Sequence, residues 1–294
     1  MVPMQPVVSF LVYCANQGRY LQQCVHSILD QNFIDFEILI LDDASTDETS
    51  RIIQALTLAD PRVRSLAQSQ ETGKIASYNQ GMVSAKGELL WFISASDALS
   101  SAQMLQDYVT QFVLTHRLGL VFCRVQCIDA NGVPYEKYIP HKKSSRLPAQ
   151  SIFYPARSLF SELLRENLMP ESGVMIRKRC FERTGVFDPD LGRAALWHQW
   201  AMVSLDWIIY FDAAPQVYQR LPMSQAGQIH STAVDGQSRL AHYDKLETFL
   251  KTRDYPLTLR RRTQLFRLQL KRKLRLPLSV PEKLIRLARF FTLK

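Results

Sequence analysis

Apolar residues in the first half of the chain fall into short runs separated by segments with helical spacing. Val7 to Cys14, Glu37 to Leu41 and Leu89 to Ser94 are near-continuous apolar stretches of strand length, the pattern of strands buried on both faces. Val63 to Ala67 and Leu118 to Ile128 extend the series. Between them, Leu21, Cys24, Val25, Ile28 and Leu29 recur at three- and four-residue intervals. So do Ile52, Ile53 and Leu56, and then Met104, Leu105, Tyr108, Val109, Phe112 and Val113. Ser45-x-x-Glu48 predicts a capping box for the second of these helices. Gly73 to Ala85 predicts a further helix, with Gly87 just past its end. Strands alternating with helices at this spacing predict βαβ units and an α/β fold with a mainly parallel central sheet flanked by helices.

In such a sheet ligands sit at the carboxyl ends of the strands. Three polar clusters lie there: Cys14 to Gly18, Asp42 to Thr46, and Ser94 to Asp97. Asp129-Ala130-Asn131-Gly132 predicts a turn into another strand. Beyond residue 140 the pattern loosens. His141 to Pro155 reads as a loop, Ser172 to Arg177 and Trp207 to Phe211 as strands, and Leu196 to Asp206 as a helix. From Ser238 the chain is mostly helical. We divide it into a domain over 1–236, with halves 1–130 and 131–236, and a helical basic extension over 237–294.

Composition narrows the class. At 47% hydrophobic and 21% charged, the 294 residues suit a globular chain with a real core. No apolar run approaches the ~18–20 residues of a bilayer span. The first strand has no basic flank before it and no small-residue cleavage site after it, so a secretory signal is not expected. The five cysteines, Cys14, Cys24, Cys123, Cys127 and Cys180, lie in core-like segments, which fits buried thiols in a reducing, cytoplasmic setting. No G-x-G-x-x-G follows the first strand, which argues against a dinucleotide oxidoreductase.

Four blocks resemble glycosyltransferase family 2. They are Val8 to Leu21, Phe36 to Asp47 with its Asp42-Asp43 pair, Gly73 through Asn79 and Gly81 to Ile93, and Thr184 to Gly192. Together they cover roughly residues 7–222. The resemblance implies a GT-A-type nucleotide-binding fold, with 1–130 as nucleotide-binding half and 131–236 as acceptor side. It implies an inverting, hexosyl-type transferase that moves a sugar from a nucleotide-sugar, of UDP type, to a glycan or lipid-linked saccharide in cell-envelope or polysaccharide synthesis. Under it, Asp43 accepts a hydrogen bond from the base, and Cys14, Ala15 and Asn16 line the base pocket. Lys74 meets the diphosphate at a helix start, and Ser94 and Ser96 stand at the metal motif. Each has a plainer reading: helix capping for Asp42 or Asp43, loop ordering for Asn16, an exposed cation for Lys74.

The chain departs from the family pattern at three stations. The metal motif, two Asp residues separated by one, reads Ser94-Ala95-Ser96, and only the following Asp97 is a carboxylate. Asp97 is either the metal ligand or a cap on the next helix. Any Mn²⁺ or Mg²⁺ site is expected to be weak and to form with the nucleotide. Counting back from Trp200, the acidic pair that supplies the base falls on Ala195 and Leu196, which accept no proton. His198 is the nearest titratable substitute, its plainer role being a helix residue; Glu171 is a more distant one. Third, Arg220 is followed by Leu221 and Pro222, without the family's His. The alternative function is therefore a catalytically impaired homologue that binds a nucleotide, a saccharide or a partner enzyme.

Charge is uneven. Residues 251–294 hold 14 Lys and Arg against 2 Asp and Glu, while the remaining 22 basic and 25 acidic residues leave 1–250 near neutral. Basic and apolar positions interleave in this tail. That suits a helix lying on an anionic membrane, hence a peripheral position at the inner face of the membrane, or a helix packed on the domain with a solvated basic face. No module for nucleic acid accompanies it, and none is expected as a partner.

Overall fold

In the computed structural model, which describes residues 5–135, 147–221 and 234–273, one nine-stranded sheet runs through the molecule. Its strands are β1 (Val8–Cys14), β2 (Phe36–Asp42), β3 (Val63–Ala67), β4 (Leu89–Ser94), β5 (Ala98–Leu99), β6 (Leu118–Ile128), β7 (Ile152–Tyr154), β8 (Val174–Arg177) and β9 (Ile208–Arg220). The order is β3-β2-β1-β4-β8-β6-β9-β5, with β7 on β9. The long ladders are parallel: β1 with β2 and β4, β2 with β3, and β6 with β9. β8, β5 and β7 add antiparallel ladders of four residue pairs or fewer.

Both faces of β1, β2 and β4 are buried, which explains their unbroken apolar runs. Phe10, Val12, Ile38, Ile40, Trp91 and Ile93 point to one side. There they meet α1 (Gly18–Leu29), α2 (Thr49–Ala59) and α4 (Met104–Leu114). Leu11, Leu39, Leu41, Leu90 and Phe92 point to the other, onto α3 (Lys74–Ser84) and α7 (Ala195–Asp206). α5 (Phe160–Arg165) and α6 (Cys180–Thr184) complete that layer. α8 (Gly236–Thr252) and α9 (Leu257–Lys273) join the same core through Tyr243, Leu246, Leu250, Tyr255 and Leu259.

Several expectations are corrected. The 141–155 loop contains β7, whose three residues pair with β9; residues 141–146 lie outside the described residues. The strand expected after Gly132 amounts to one bridge, Ile128 to Pro134, as far as the description runs. β9 continues nine residues past Phe211, to Arg220, because β6 pairs along most of its length. The Ser45/Glu48 capping box does not form. Asp47 caps α2 instead, accepting from the Thr49 amide at 3.0 Å and from the α1 amide of Gly18 at 3.2 Å. These bonds hold the Asp47 carboxyl below its usual range against a desolvation penalty acting the other way. Gly18 is required there: a Cβ would sit 2.8 Å from Glu48 Cγ and 2.9 Å from the Thr49 amide.

The basic tail is described only to Lys273. α9 packs on α8 and α5, with Arg267 paired to Asp244 and Glu247, and Arg260 to Asp254. The remainder, 274–294, lies outside the described residues. Among the described residues no helix is long and apolar enough to cross a membrane.

Candidate functional site

The parallel registers bring three strand ends together: Cys14 lies opposite Asp42, and Tyr13 opposite Ser94. The polar clusters read from the sequence therefore form one surface, with β1 in the middle.

At the end of this surface after β2, Asp43 is buried and fully engaged. Oδ1 accepts from the Thr72 amide at 2.7 Å and the Thr72 hydroxyl at 3.3 Å; Oδ2 accepts from the Gly73 amide at 2.9 Å and the Tyr13 hydroxyl at 3.1 Å. A carboxylate has about four lone-pair sites, and these donors fill them. Asp42 turns inward, its Oδ1 accepting from the Ser45 amide. Cys14 is buried, its carbonyl accepting from the Asp43 amide at 2.9 Å; burial pushes its thiol up to about 11. Ala15 is half-buried beside it. Asn16 adopts a left-handed backbone (φ 53°), which Asn tolerates better than most residues. Its Oδ1 accepts from the Thr46 and Asp47 amides at 2.8 and 3.3 Å, stitching the β1 and β2 loops together. The loop-ordering role is thus visible in the fold.

Lys74 opens α3, after Gly73 in a positive-φ conformation (φ 88°). Its Nζ lies 3.0 Å from Glu171 Oε1 and 3.1 Å from Oε2, and 5.3 Å from the centroid of the Tyr13 ring. Burial works against its charge, but the Glu171 carboxylate outweighs this and holds its pKa above the ordinary value. Tyr78 donates to Glu171 Oε1 at 2.7 Å, and burial pushes its phenol up with Glu171 adding to the effect.

Glu171 starts a 3₁₀ turn, Glu171–Gly173, that leads into β8. Its neighbour Ser172 donates to Asp97 Oδ2 at 2.5 Å and accepts from the Ser94 amide at 3.2 Å. Ser94 and Ser96 hydroxyls lie 3.0 Å apart, and Ser96 donates to Asp97 Oδ1 at 3.2 Å. A continuous chain of contacts thus runs from Asp43 through Tyr13, Lys74 and Glu171 to Ser172 and Asp97.

Asp97 does not cap a helix; α4 begins only at Met104. It is 4% exposed, and its Oδ1 also accepts from the Arg220 amide at 3.0 Å. Burial pushes its carboxyl up to about 6 against the hydrogen bonds from Ser172 and Arg220. The Arg220 side chain spreads beneath the same turn, donating to the carbonyls of Ser96 and Asp129 and to Gln23. Without the expected His it acts as a clamp on the turn.

The family implies a divalent cation here, and the residues do not fit one. Such an ion takes several oxygen ligands with carboxylates among them. This turn offers two neutral hydroxyls bonded to each other and one buried carboxylate whose oxygens already serve Ser172, Ser96 and Arg220. Among the described residues no group of three His, Cys, Asp or Glu is placed to hold a metal ion.

The expected base positions lie elsewhere. Ala195 and Leu196 are buried at the start of α7. His198 is 6% exposed, its Nδ1 3.2 Å from Nδ1 of His242 on α8, and burial lowers its pKa to about 4. Among the described residues no hydrogen bond or ion pair joins it to the Asp43–Asp97 chain. Sequence reasoning missed Tyr13, Tyr78 and Ser172. A polar tip on an otherwise apolar strand or helix was the available signal for the tyrosines.

Known proteins are similar to this chain in sequence and in fold. Glycosyltransferase GlyG of Streptococcus pneumoniae serotype 4 is 37% identical over 94 residues, 32% of this chain and 31% of its own. A putative teichuronic acid biosynthesis glycosyltransferase, TuaG of Bacillus subtilis, is 26% identical over 139 residues, 47% of this chain and 54% of its own. Chondroitin synthase of Pasteurella multocida is 39% identical over 128 residues, 43% of this chain and 13% of its own. The chain thus spans little more than half, or less, of these relatives' lengths. Among solved structures, TarS residues 1–349 of S. aureus in complex with UDP-GlcNAc superimposes with a TM-score of 0.68 at 16% identity, over 90% of this chain and 72% of that one. The mannosyltransferase PcManGT of Pyrobaculum calidifontis, in complex with GDP-Man and Mn²⁺, gives 0.62 at 15%, over 99% and 82%. The fold is accordingly of the GT-A type. With the Glycosyl transferase family 2 profile matching residues 9–184, this chain belongs to glycosyltransferase family 2.

Proposed function

We propose that this protein transfers a hexosyl unit from a nucleotide-sugar, of UDP type, to a glycan or lipid-linked saccharide, with inversion at the anomeric carbon. The observation that carries this reading is the contact chain from Asp43 to Asp97 across the carboxyl ends of β1, β2 and β4. That is where a doubly wound sheet binds its ligands. Asp43 and the loop it holds at Thr72 and Gly73 form the base end, and Lys74 meets the diphosphate. The basic tail would hold the enzyme against an anionic surface on the cytoplasmic side, near a lipid-linked acceptor.

Glu171 is the base in this proposal. It is partly exposed beside Lys74, whereas Asp97 is buried and His198 is turned to α8. As the acceptor oxygen bonds to the anomeric carbon, its proton passes to Glu171. The bond from that carbon to the diphosphate oxygen breaks, and its electron pair leaves with the nucleoside diphosphate. Glu171→Gln is expected to lower kcat by ~10²–10⁴ while donor still binds. The test is a thermal-shift screen of nucleotide-sugars, followed by donor-consumption assays on wild type and Glu171→Gln.

The burial of Ala195 and Leu196 favours a second reading, a homologue that binds donor without turnover. Saturable donor binding with no consumption in any acceptor mixture would select it. Absence of nucleotide-sugar binding would refute both readings.

A further inference from the structure

We propose that this chain binds the nucleoside diphosphate without a divalent cation, and that Lys74 supplies the positive charge that neutralises it. The inference rests on the nucleotide-sugar reading above and specifies how that site works.

A diphosphate brings at least two negative charges to the strand ends, and something must offset them. The Ser94–Asp97 turn is poorly suited to recruit a metal ion for this. Its hydroxyls are neutral and mutually bonded, and Asp97 is spent inside the protein, tying the turn to the 3₁₀ turn before β8 and to the end of β9. Lys74, by contrast, is a fixed cation held between the two ends of the contact chain, against the Tyr13 ring that also touches Asp43 and on the Glu171 carboxylate next to Ser172. An ammonium already in this space disfavours a dication beside it by direct repulsion. The same ammonium makes charge-assisted bonds to phosphate oxygens readily. Its present partner carries one charge, so a diphosphate competes well for it. When Lys74 turns to the diphosphate, Glu171 is left uncompensated beside the reacting centre, the condition its role as base requires.

Titration calorimetry of UDP, GDP, CDP and dTDP into the full chain tests this, once in EDTA and once with millimolar Mn²⁺. The expected result is that at least one of them binds in EDTA, with an affinity within about threefold of that in Mn²⁺. Lys74→Met is expected to weaken binding in EDTA at least ~tenfold, and Lys74→Arg to retain most of it. The double variant Lys74→Met, Glu171→Gln removes both partners of the ion pair and leaves no orphaned charge. Its binding is expected to be as weak as that of Lys74→Met, with thermal melting confirming the fold. Binding seen only with Mn²⁺, or a Lys74→Met protein that binds as tightly as wild type in EDTA, overturns the inference and leaves the glycosyltransferase reading standing. Failure of all four nucleotides in both conditions overturns both.

Discussion

Acidification should loosen the attachment of α8 through two buried imidazoles. His198 on α7 and His242 on α8 meet Nδ1 to Nδ1 at 3.2 Å, and His242 stacks on Trp197 with centroids 4.0 Å apart. One ring must donate. If His242 donates, its unpartnered Nε2 is a bare lone pair, a smaller penalty than a buried N–H without an acceptor. Burial lowers the pKa of His198 from 6.5 to about 4 and that of His242 in the same direction; each ring also meets cationic neighbours, Lys245 for His198 and Arg239 for His242, while Asp188 acts the other way on His198. The unfolded chain therefore takes up protons that the folded chain refuses. The stabilisation is complete above pH 6.5 and is lost as pH falls toward 4. For His198 alone, the gap between 6.5 and about 4 makes the limiting loss about 3 kcal/mol, and about 2 kcal/mol at pH 5. At ~2–4 °C per kcal/mol, pH 5 lowers Tm by roughly 4–8 °C relative to pH 7 from this ring, with His242 adding to it. The comparison is with a His198→Asn, His242→Asn variant, in which amides replace the ring nitrogens and do not titrate. An equal drop in Tm between pH 7 and pH 5 in both proteins would refute the argument.

Three further outcomes follow from named contacts. Asp43→Ala releases the Thr72 and Gly73 amides and is expected to weaken nucleotide binding by about 1.5–3 kcal/mol, read by calorimetry on a variant that still melts cooperatively. Glu37, buried, accepts from the Ser9 hydroxyl, the Lys86 amide and Arg64, each at 2.6 Å, which hold its carboxyl below the usual range against desolvation. Glu37→Gln should destabilise by ~1.5–3 kcal/mol in urea unfolding at pH 7, and by less as pH falls through the lowered range of the folded carboxyl, where wild type also loses the charge. Gly87→Ala would place a Cβ 2.7 Å from the Ser9 amide and 2.8 Å from the Val8 carbonyl carbon, both backbone of a central strand; a loss of about 1–3 kcal/mol is expected in the same assay.

The sheet was legible wherever burial on two faces leaves an unmistakable trace. β1, β2, β4 and β6 are apolar almost without interruption because helices cover both sides, and α1, α3 and α4 show one apolar stripe each. β7 left no such trace. It has three residues, it is largely exposed, and it is held by pairing with β9 and the contact of Phe153 with Tyr210, centroids 4.6 Å apart. β5 has two residues and exists only because β9 reaches it. Local capping logic failed at Ser45 for a tertiary reason: its hydroxyl accepts from the Asn16 amide, and the charged Asp47 bridges the starts of two helices at once.

At the site, residue type located the strand ends, but partnership decided what each group is free to do. The partners of Asp43 are mainly backbone amides some thirty residues away, which no side-chain pattern encodes. Glu171 lies 93 residues from Tyr78 and 97 from Lys74, and only the fold brings its carboxylate to them. The same accounting bears on the two altered stations together. A metal ion and an acidic base both call for carboxylates, and this chain lacks them at Ser94, Ser96, Ala195 and Leu196. Restoring one carboxylate alone would add charge to a surface that already holds Asp43, Asp97 and Glu171 around Lys74. The cation and the remaining carboxylate instead form an ion pair, which keeps their charges near balance and, in the proposed reading, separates when an anionic donor binds. An arrangement of this kind makes counter-charge and proton acceptor interdependent. Lys74→Met should therefore disturb the chemical step as well as donor affinity, whereas a base mutation in a metal-centred site would leave donor binding and its cation untouched.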